Sequence, residues 1–237
     1  MSTPVFWLAL GEIIWINIIL SGDNAVVIAL AARSLPPAQQ KRAIIWGSAG
    51  AVVLRILLTF IAAYLLQWRF VQIVGGLLLL WIGVQLLGEG DDGHAEGNAA
   101  AARPVSYLAA IRTILMADLV MSLDNVIGVA LAAKINGVLS YPLLMIGLAI
   151  SIPIVVFGSQ VMIKLMERFP VIITLGTALI GWVAGDAISH DVALKSVFEN
   201  NAYLAYGLKA GCAVFVVVVG KWMAAKASNK GHAAKAH

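Results

Sequence analysis

The sequence predicts an all-α membrane protein. It has seven transmembrane helices, built as two inverted three-helix repeats plus a seventh helix, with the N-terminus outside and the C-terminus cytoplasmic. Three observations lead there. Of 237 residues, 61% are apolar and only 12% charged, and the mean hydropathy is +0.93, unlike an ordinary soluble domain. Several apolar runs reach the ~20 residues needed to cross a hydrocarbon core. The quartet Ser-x-Asp-Asn occurs twice inside such runs, as Ser21-Gly22-Asp23-Asn24 and, 101 residues later, as Ser122-Leu123-Asp124-Asn125.

In chain order, the spans cover about 5–32, 43–66 and 70–87, the third being short. A polar loop, 88–104, follows. The second set covers about 107–133, 138–165 and 171–188, and the seventh span about 203–223, with boundaries good to about two to four residues. A basic tail, 224–237, closes the single transmembrane domain. Runs of this length exclude the ~10-residue strands of a membrane barrel. The N-terminal run lacks a basic leader and is too long for a signal-peptide core, so no cleavable signal is expected. The one cysteine, Cys212, excludes an intrachain disulfide and a thiolate cluster; it reads as a small apolar filler.

Orientation follows from Lys and Arg. One side of the seven spans receives Arg33, Lys41, Arg42, Arg103, Arg112, Lys164, Arg168, Lys221, Lys226, Lys230 and Lys235, and the other only Arg69, Lys134 and Lys195. The first side is therefore cytoplasmic. Positives confined to loops and a tail follow membrane topology, so the net charge of +4 is no sign of nucleic-acid binding.

The two halves correspond. Ala29-Leu30-Ala31-Ala32-Arg33 matches Ala130-Leu131-Ala132-Ala133-Lys134 at the quartets' offset of 101, and Gly47 and Gly76 match Gly147 and Gly176 at 100. Three spans per copy is an odd number, so repeat 2 (about 107–188) enters the membrane upside down relative to repeat 1 (about 5–87). Secondary transporters of this build place their site near the midplane where the repeats meet.

Asp23 lies ten residues before Arg33, roughly 15 Å along a helix at ~1.5 Å per residue, about half of a ~30 Å core. Asp124 is equally deep from the opposite face. A lipid-facing carboxylate costs about 2.5–3.5 kcal/mol on insertion scales, so both should face the interior. Asn17, Ser21 and Asn24 form one i, i+4, i+7 stripe, and Asp118, Ser122 and Asn125 repeat it. On a straight helix Asp23 and Asp124 sit roughly 100° off these stripes. Either the polar face is broad or the helix opens at the quartet, which Gly22 would permit. The candidate cation ligands are therefore Asp23, Asn24, Asp118, Asp124, Asn125, Ser21, Ser122 and Asn17. All offer hard oxygen donors, suited to Mg2+, Ca2+ or Mn2+ rather than to metals that prefer His and thiolate. The competing reading is helix-to-helix hydrogen bonding, which applies most to Asn17, Ser21 and Ser122.

Other polar residues carry two readings each. Glu12, eleven residues before Asp23, is an outer relay or a solvated end. Arg55, in mid-span, needs an acidic partner, as a counter-ion replacing the metal in the empty state or as a structural pair. Asp186 and His190 guide ions or end a solvated helix. Lys209 snorkels. Pro153 with Gly158 would kink the fifth helix, and Gly75, Gly76 and Gly83 let helices pack closely. Glu89, Asp91, Asp92, His94 and Glu96 fit no EF-hand spacing and read as a flexible solvated loop.

Ser21-Gly22-Asp23-Asn24-Ala25 with Leu123-Asp124-Asn125-Val126, in a seven-span inverted repeat, resembles the TerC family of integral membrane proteins, and within it the short single-domain branch of the YjbE type. The resemblance covers about 6–223. It implies a manganese exporter of the bacterial inner membrane, with Asp23 and Asp124 as ligands, Asn24 and Asn125 beside them and Asp118 near. The expected function is export of divalent cations, Mn2+ first, by alternating access, with H+ as a candidate coupling ion because crowded carboxylates could exchange a proton for metal. The expected partners are a divalent metal ion and the lipid bilayer, with no nucleic acid, and a homodimer left open. Rival readings are a Ca2+ transporter, a heptahelical photoreceptor with Lys209 as Schiff base, and, less supported, a membrane protease using paired aspartates. No enzyme activity is expected.

Overall fold

The computed structural model describes residues 7–8, 10–12, 14–15, 22–88, 106–132, 134–135, 138–139, 141–199 and 201–233. Side chains are described for these except 62, 63, 124, 126–132, 134–135, 138–139, 141–144, 147, 151 and 227–233. The helices are α1 (Gly22–Ala32), α2 (Pro37–Leu65), α3 (Val71–Gly88), α4 (Tyr107–Ala132), α5 (Tyr141–Arg168), α6 (Val171–His190), the short α7 (Lys195–Phe198) and α8 (Ala202–Ala233). Most of the first expected span, and the acidic loop 89–96, lie outside the described residues.

Among the described residues, five segments are long and apolar enough to cross a membrane: Pro37–Ile61, Val71–Gly88, Leu148–Arg168, Val171–His190 and Ala202–Lys226. Their outer faces carry exposed Phe60, Trp81, Phe157, Val214 and Phe215, a surface that suits hydrocarbon and not water. The chain is a multi-pass integral membrane protein. The fifth span departs from the sequence reading at its start. Ahead of the helix, β1 (Lys134–Ile135) pairs antiparallel with β2 (Val138–Leu139), Lys134 opposite Leu139. The helix begins only at Tyr141, because Pro142 needs no amide partner in a first turn.

The core is a layer of aliphatic side chains, with Leu30, Ile44, Leu79, Ile114, Met166 and Ile180 almost fully buried. Around it α1 packs on α5, α2 on α4, α3 on α6, and α8 on both α6 and α3. The expected glycine contacts are present. A Cβ at Gly75 would stand 2.8 Å from Val120, one at Gly76 2.7 Å from the Ala184 carbonyl, and one at Gly83 3.0 Å from Val216. The tightest approach to another helix's backbone is elsewhere. Gly181 and Gly185, a Gly-x-x-x-Gly pair on α6, bring α8 so near that added Cβ atoms would meet the Cys212 carbonyl at 2.6 Å and Lys209 Cα at 2.7 Å.

Helix α3 is clamped at both ends by other elements. Asp191 stops α6 with extended backbone, φ −61° and ψ 139°. Its fully buried carboxylate accepts bonds from the backbone N–H groups of Phe70 (3.0 Å), Gln72 (3.1 Å) and Ile73 (3.2 Å), at the start of α3, and from Ala193 (2.8 Å). Phe70 takes the left-handed conformation, φ 73°, to enter this turn. At the other end Arg33 Nη2 donates to the Leu86 carbonyl at 2.7 Å. An anion at the N-terminus and a cation at the C-terminus both oppose the helix dipole favourably.

Candidate cation site

Three side chains close a ring between α2 and α4. Arg55 Nη2 donates to Asp118 Oδ1 at 2.7 Å, Arg55 Nε donates to Ser122 Oγ at 2.9 Å, and Ser122 Oγ donates to Asp118 Oδ2 at 3.0 Å. Asp118 and Ser122 stand one helical turn apart, which puts both on the face that meets α2. Arg55 is 4% exposed, Asp118 5% and Ser122 0%. Both charges are therefore desolvated, and each carboxylate oxygen already accepts one bond. A lone ion at this depth would be prohibitive; the pair is tolerated because charge and hydrogen bonds are matched together. Arg55 has thus found the acidic partner its position demanded.

Beside the ring lies a cavity of about 20 Å³, lined by Asn24, Ser48, Arg55 and Asp118 with apolar walls from Ile28, Val52, Ile152 and Val155. It holds one water-sized sphere, so a bare cation would fit where a hydrated one would not. Ser48 Oγ, buried in this wall, makes no hydrogen bond among the described residues. Asn24 is 3% exposed. The helix beginning at Gly22 brings it inward, while Asp23 Oδ1, in the first turn, accepts the neighbouring Asn24 N–H at 2.7 Å. Asp23 is half-buried, does not line the cavity, and feels the charges of both Arg55 and Asp118.

Of the expected ligands, the structure brings together Asn24, Asp118 and Ser122, with Asp23 adjoining. Asn125 is half-buried on α4. Asp124 is on the same helix with its side chain outside the described residues, and Asn17 and Ser21 are likewise outside them. Among the described residues no three His, Cys, Asp or Glu side chains gather to hold a metal ion. The sequence reading missed Ser48, although it precedes Arg55 by seven residues, two turns on one face. It also missed Asp191, whose backbone partners leave no sequence signal.

Toward the other face, α3, α6, α7 and α8 surround an open cleft of about 670 Å³, bearing Asp186, His190, Lys195, Glu199 and Lys209. Lys209 Nζ forms an ion pair with Asp186 and lies 5.2 Å from the Tyr206 ring, so it does not snorkel to solvent as expected. Asp186 likewise is no simple solvated end: besides Lys209, it has His190 Nδ1 3.0 Å from its backbone carbonyl and 3.7 Å from Oδ1. A Schiff-base lysine would want a closed apolar pocket, and this cleft carries four charged side chains. Glu12 is exposed.

Comparison with known proteins agrees with this membrane architecture. The family model "Integral membrane protein TerC family" matches residues 2–228. The chain is 44% identical over 191 residues to the uncharacterized membrane protein YjbE of Bacillus subtilis, covering 80% of this chain and 83% of that one. It is 28% identical over 186 residues to the inner membrane protein YgdQ of Escherichia coli, covering 72% and 75%. It is 26% identical over 191 residues to the uncharacterized membrane protein YceF of B. subtilis, covering 78% and 72%. No solved structure matches.

Proposed function

The chain belongs to the TerC family of integral membrane proteins, and from that premise we propose that it is a secondary transporter of the bacterial inner membrane that exports divalent metal cations, Mn2+ first among them. The observation that carries this reading is the buried polar ring with its water-sized cavity, Asn24, Ser48, Arg55 and Asp118, inside otherwise apolar helices. Ionisable groups at such depth mark ion pathways. The described donors around the cavity are oxygen and amide groups, which favour hard divalent ions. Asp23 and Asp124 supply the further negative charge, with Asn24 and Asn125 beside them.

Two inverted repeats rocking about this centre give alternating access. The packing supports that reading. α1 meets α5 as α4 meets α2, and α1 meets α6 as α4 meets α3. Val52 and Arg55 line the cavity opposite Ile152 and Val155, their counterparts 100 residues on. Thr59 Oγ1 donates to the Arg55 carbonyl at 2.8 Å, and Ser159 Oγ to the Val155 carbonyl at 2.7 Å, again 100 residues apart. Protons are the proposed coupling ion. Asp118 is already neutralised by Arg55, so Asp23 and Asp124 would carry them; proton flux that ignores added Mn2+ in proteoliposomes would refute this.

The test of the function is metal-resolved uptake into inside-out vesicles. Wild type should accumulate Mn2+ ahead of Ca2+, and Asp23→Ala, inserted at equal level, should not. Preference for Ca2+ would move the substrate, and no metal uptake would remove the transport reading.

A further inference from the structure

We propose that Arg55 is a tethered counter-ion: its guanidinium occupies Asp118 in the empty protein and competes with the transported cation for that carboxylate. This role rests on the transport reading above and deepens it. Arg55 cannot shed its charge by losing a proton. Held at 2.7 Å from Asp118 and 2.9 Å from Ser122, it donates one bond to each ring partner. The adjoining cavity of about 20 Å³ is walled by Arg55 itself as well as by Asp118, Asn24 and Ser48. A dehydrated divalent ion entering there would lie against the guanidinium in a desolvated space, where like charges are poorly screened. Ion and guanidinium therefore exclude each other from Asp118. When the ion leaves, Arg55 returns, and the empty centre again buries no uncompensated charge.

The repeats sharpen the argument. Asp118 stands where the first copy has Asn17, at offset 101, and Arg55 where the second copy has Val155, at offset 100. The carboxylate and the cation that neutralises it both break the internal correspondence, one in each copy, and they meet. Helix-to-helix adhesion alone would be served by the neutral hydroxyls and amides the repeats already share. A matched charge pair at this cavity suits a site that must alternate between an external and a built-in cation.

The consequence is a split between transport modes. A carrier that keeps its own counter-ion can cross empty, so it performs net efflux as well as exchange. Arg55→Gln removes the charge and leaves an amide of similar reach. Mn2+ exchange across proteoliposomes should persist, while net efflux falls by about tenfold and the Mn2+ concentration for half-maximal exchange falls by about fivefold or more, the scale of one lost coupling. Equal loss in both modes, or an unchanged Mn2+ dependence, overturns the proposal and makes the pair structural. Should Arg55→Gln fail to fold, Arg55→Lys reads the same competition. It keeps the charge but loses the two-pronged clamp, so net efflux should continue with a tighter Mn2+ dependence, and an unshifted dependence is refuting. Wild type without Mn2+ flux in either mode would sink the transport reading itself, a result distinct from an Arg55 variant that behaves as wild type.

Discussion

Asp118 and Arg55 form a pair whose members are worth little singly. Removing one leaves a buried ion with no partner, and such losses cost about 3–5 kcal/mol, whereas replacing both with apolar residues of similar size is often neutral or better. Asp118→Ala is thus expected to lower the thermal midpoint in detergent sharply, and Arg55→Met with Asp118→Leu to restore it without restoring transport. A double variant as unstable as Asp118→Ala would contradict the pairing. Asp191 works through the backbone instead. Its burial alone would raise its pKa, but the N–H groups of Ala193, Phe70, Ile73 and Gln72 outweigh that and hold it below the usual carboxylate value of 3.8. A depressed folded-state pKa means the stabilisation is complete above pH 3.8 and is lost as pH falls through the lower folded value. Asp191→Ala should cost about 2 kcal/mol, the upper end for a helix cap, and should remove that acid-side component from a pH series of melting curves.

At the scale of elements, α8 is fastened to α6 by the absence of side chains. A Cβ at Gly181 would come within 2.6 Å of backbone on α8, and backbone cannot rotate aside. Gly181→Ala should therefore destabilise by about 1–3 kcal/mol, against the gain of up to ~1 kcal/mol that alanine brings to a helix. Gly211→Ala on α8 meets nothing within 4 Å and should be neutral or stabilising in the same thermal assay. If both alanines stabilise, the close approach is not what holds these helices. Helix α3 shows a second device. Its short length was legible in the sequence, but the clamps at its ends come from Arg33 and Asp191, which lie 53 and more than a hundred residues from their partners on it.

For the whole molecule, the distribution of Lys and Arg fixes an expected topology, with the N-terminus outside. After replacement of buried Cys212, Ser2→Cys should react with an impermeant thiol reagent in intact cells and Ser228→Cys only after permeabilisation. The opposite pattern would invert every statement about direction. Asp23→Ala and Asp124→Ala should each abolish metal transport with insertion intact, since the two halves are read as building one centre. The multi-pass helical character was legible because hydropathy is a property of the chain itself. The helix limits followed within a few residues at α3, α4 and α6. The fifth span was expected to start at Val138, since Val138 and Leu139 are apolar enough to begin a helix, although Asn136-Gly137 before them is a turn signal in the sequence; the structure puts these two residues in β2 instead.

The sequence by itself determined that this is a multi-pass helical membrane protein with a duplicated Ser-x-Asp-Asn motif and one arginine that could not remain alone in mid-span. Those conclusions rest on solvation: apolar length demands hydrocarbon, and buried charge demands a partner. Which partner it was, only the tertiary structure decided. Asp118 and Asp23 carry the same chemistry, but α4 packs its 118–122 face on α2, so the guanidinium meets Asp118 and Ser122 while Asp23 accepts the neighbouring Asn24 N–H. Periodicity gives the face of a helix; the neighbour that covers that face is set by packing across the whole bundle.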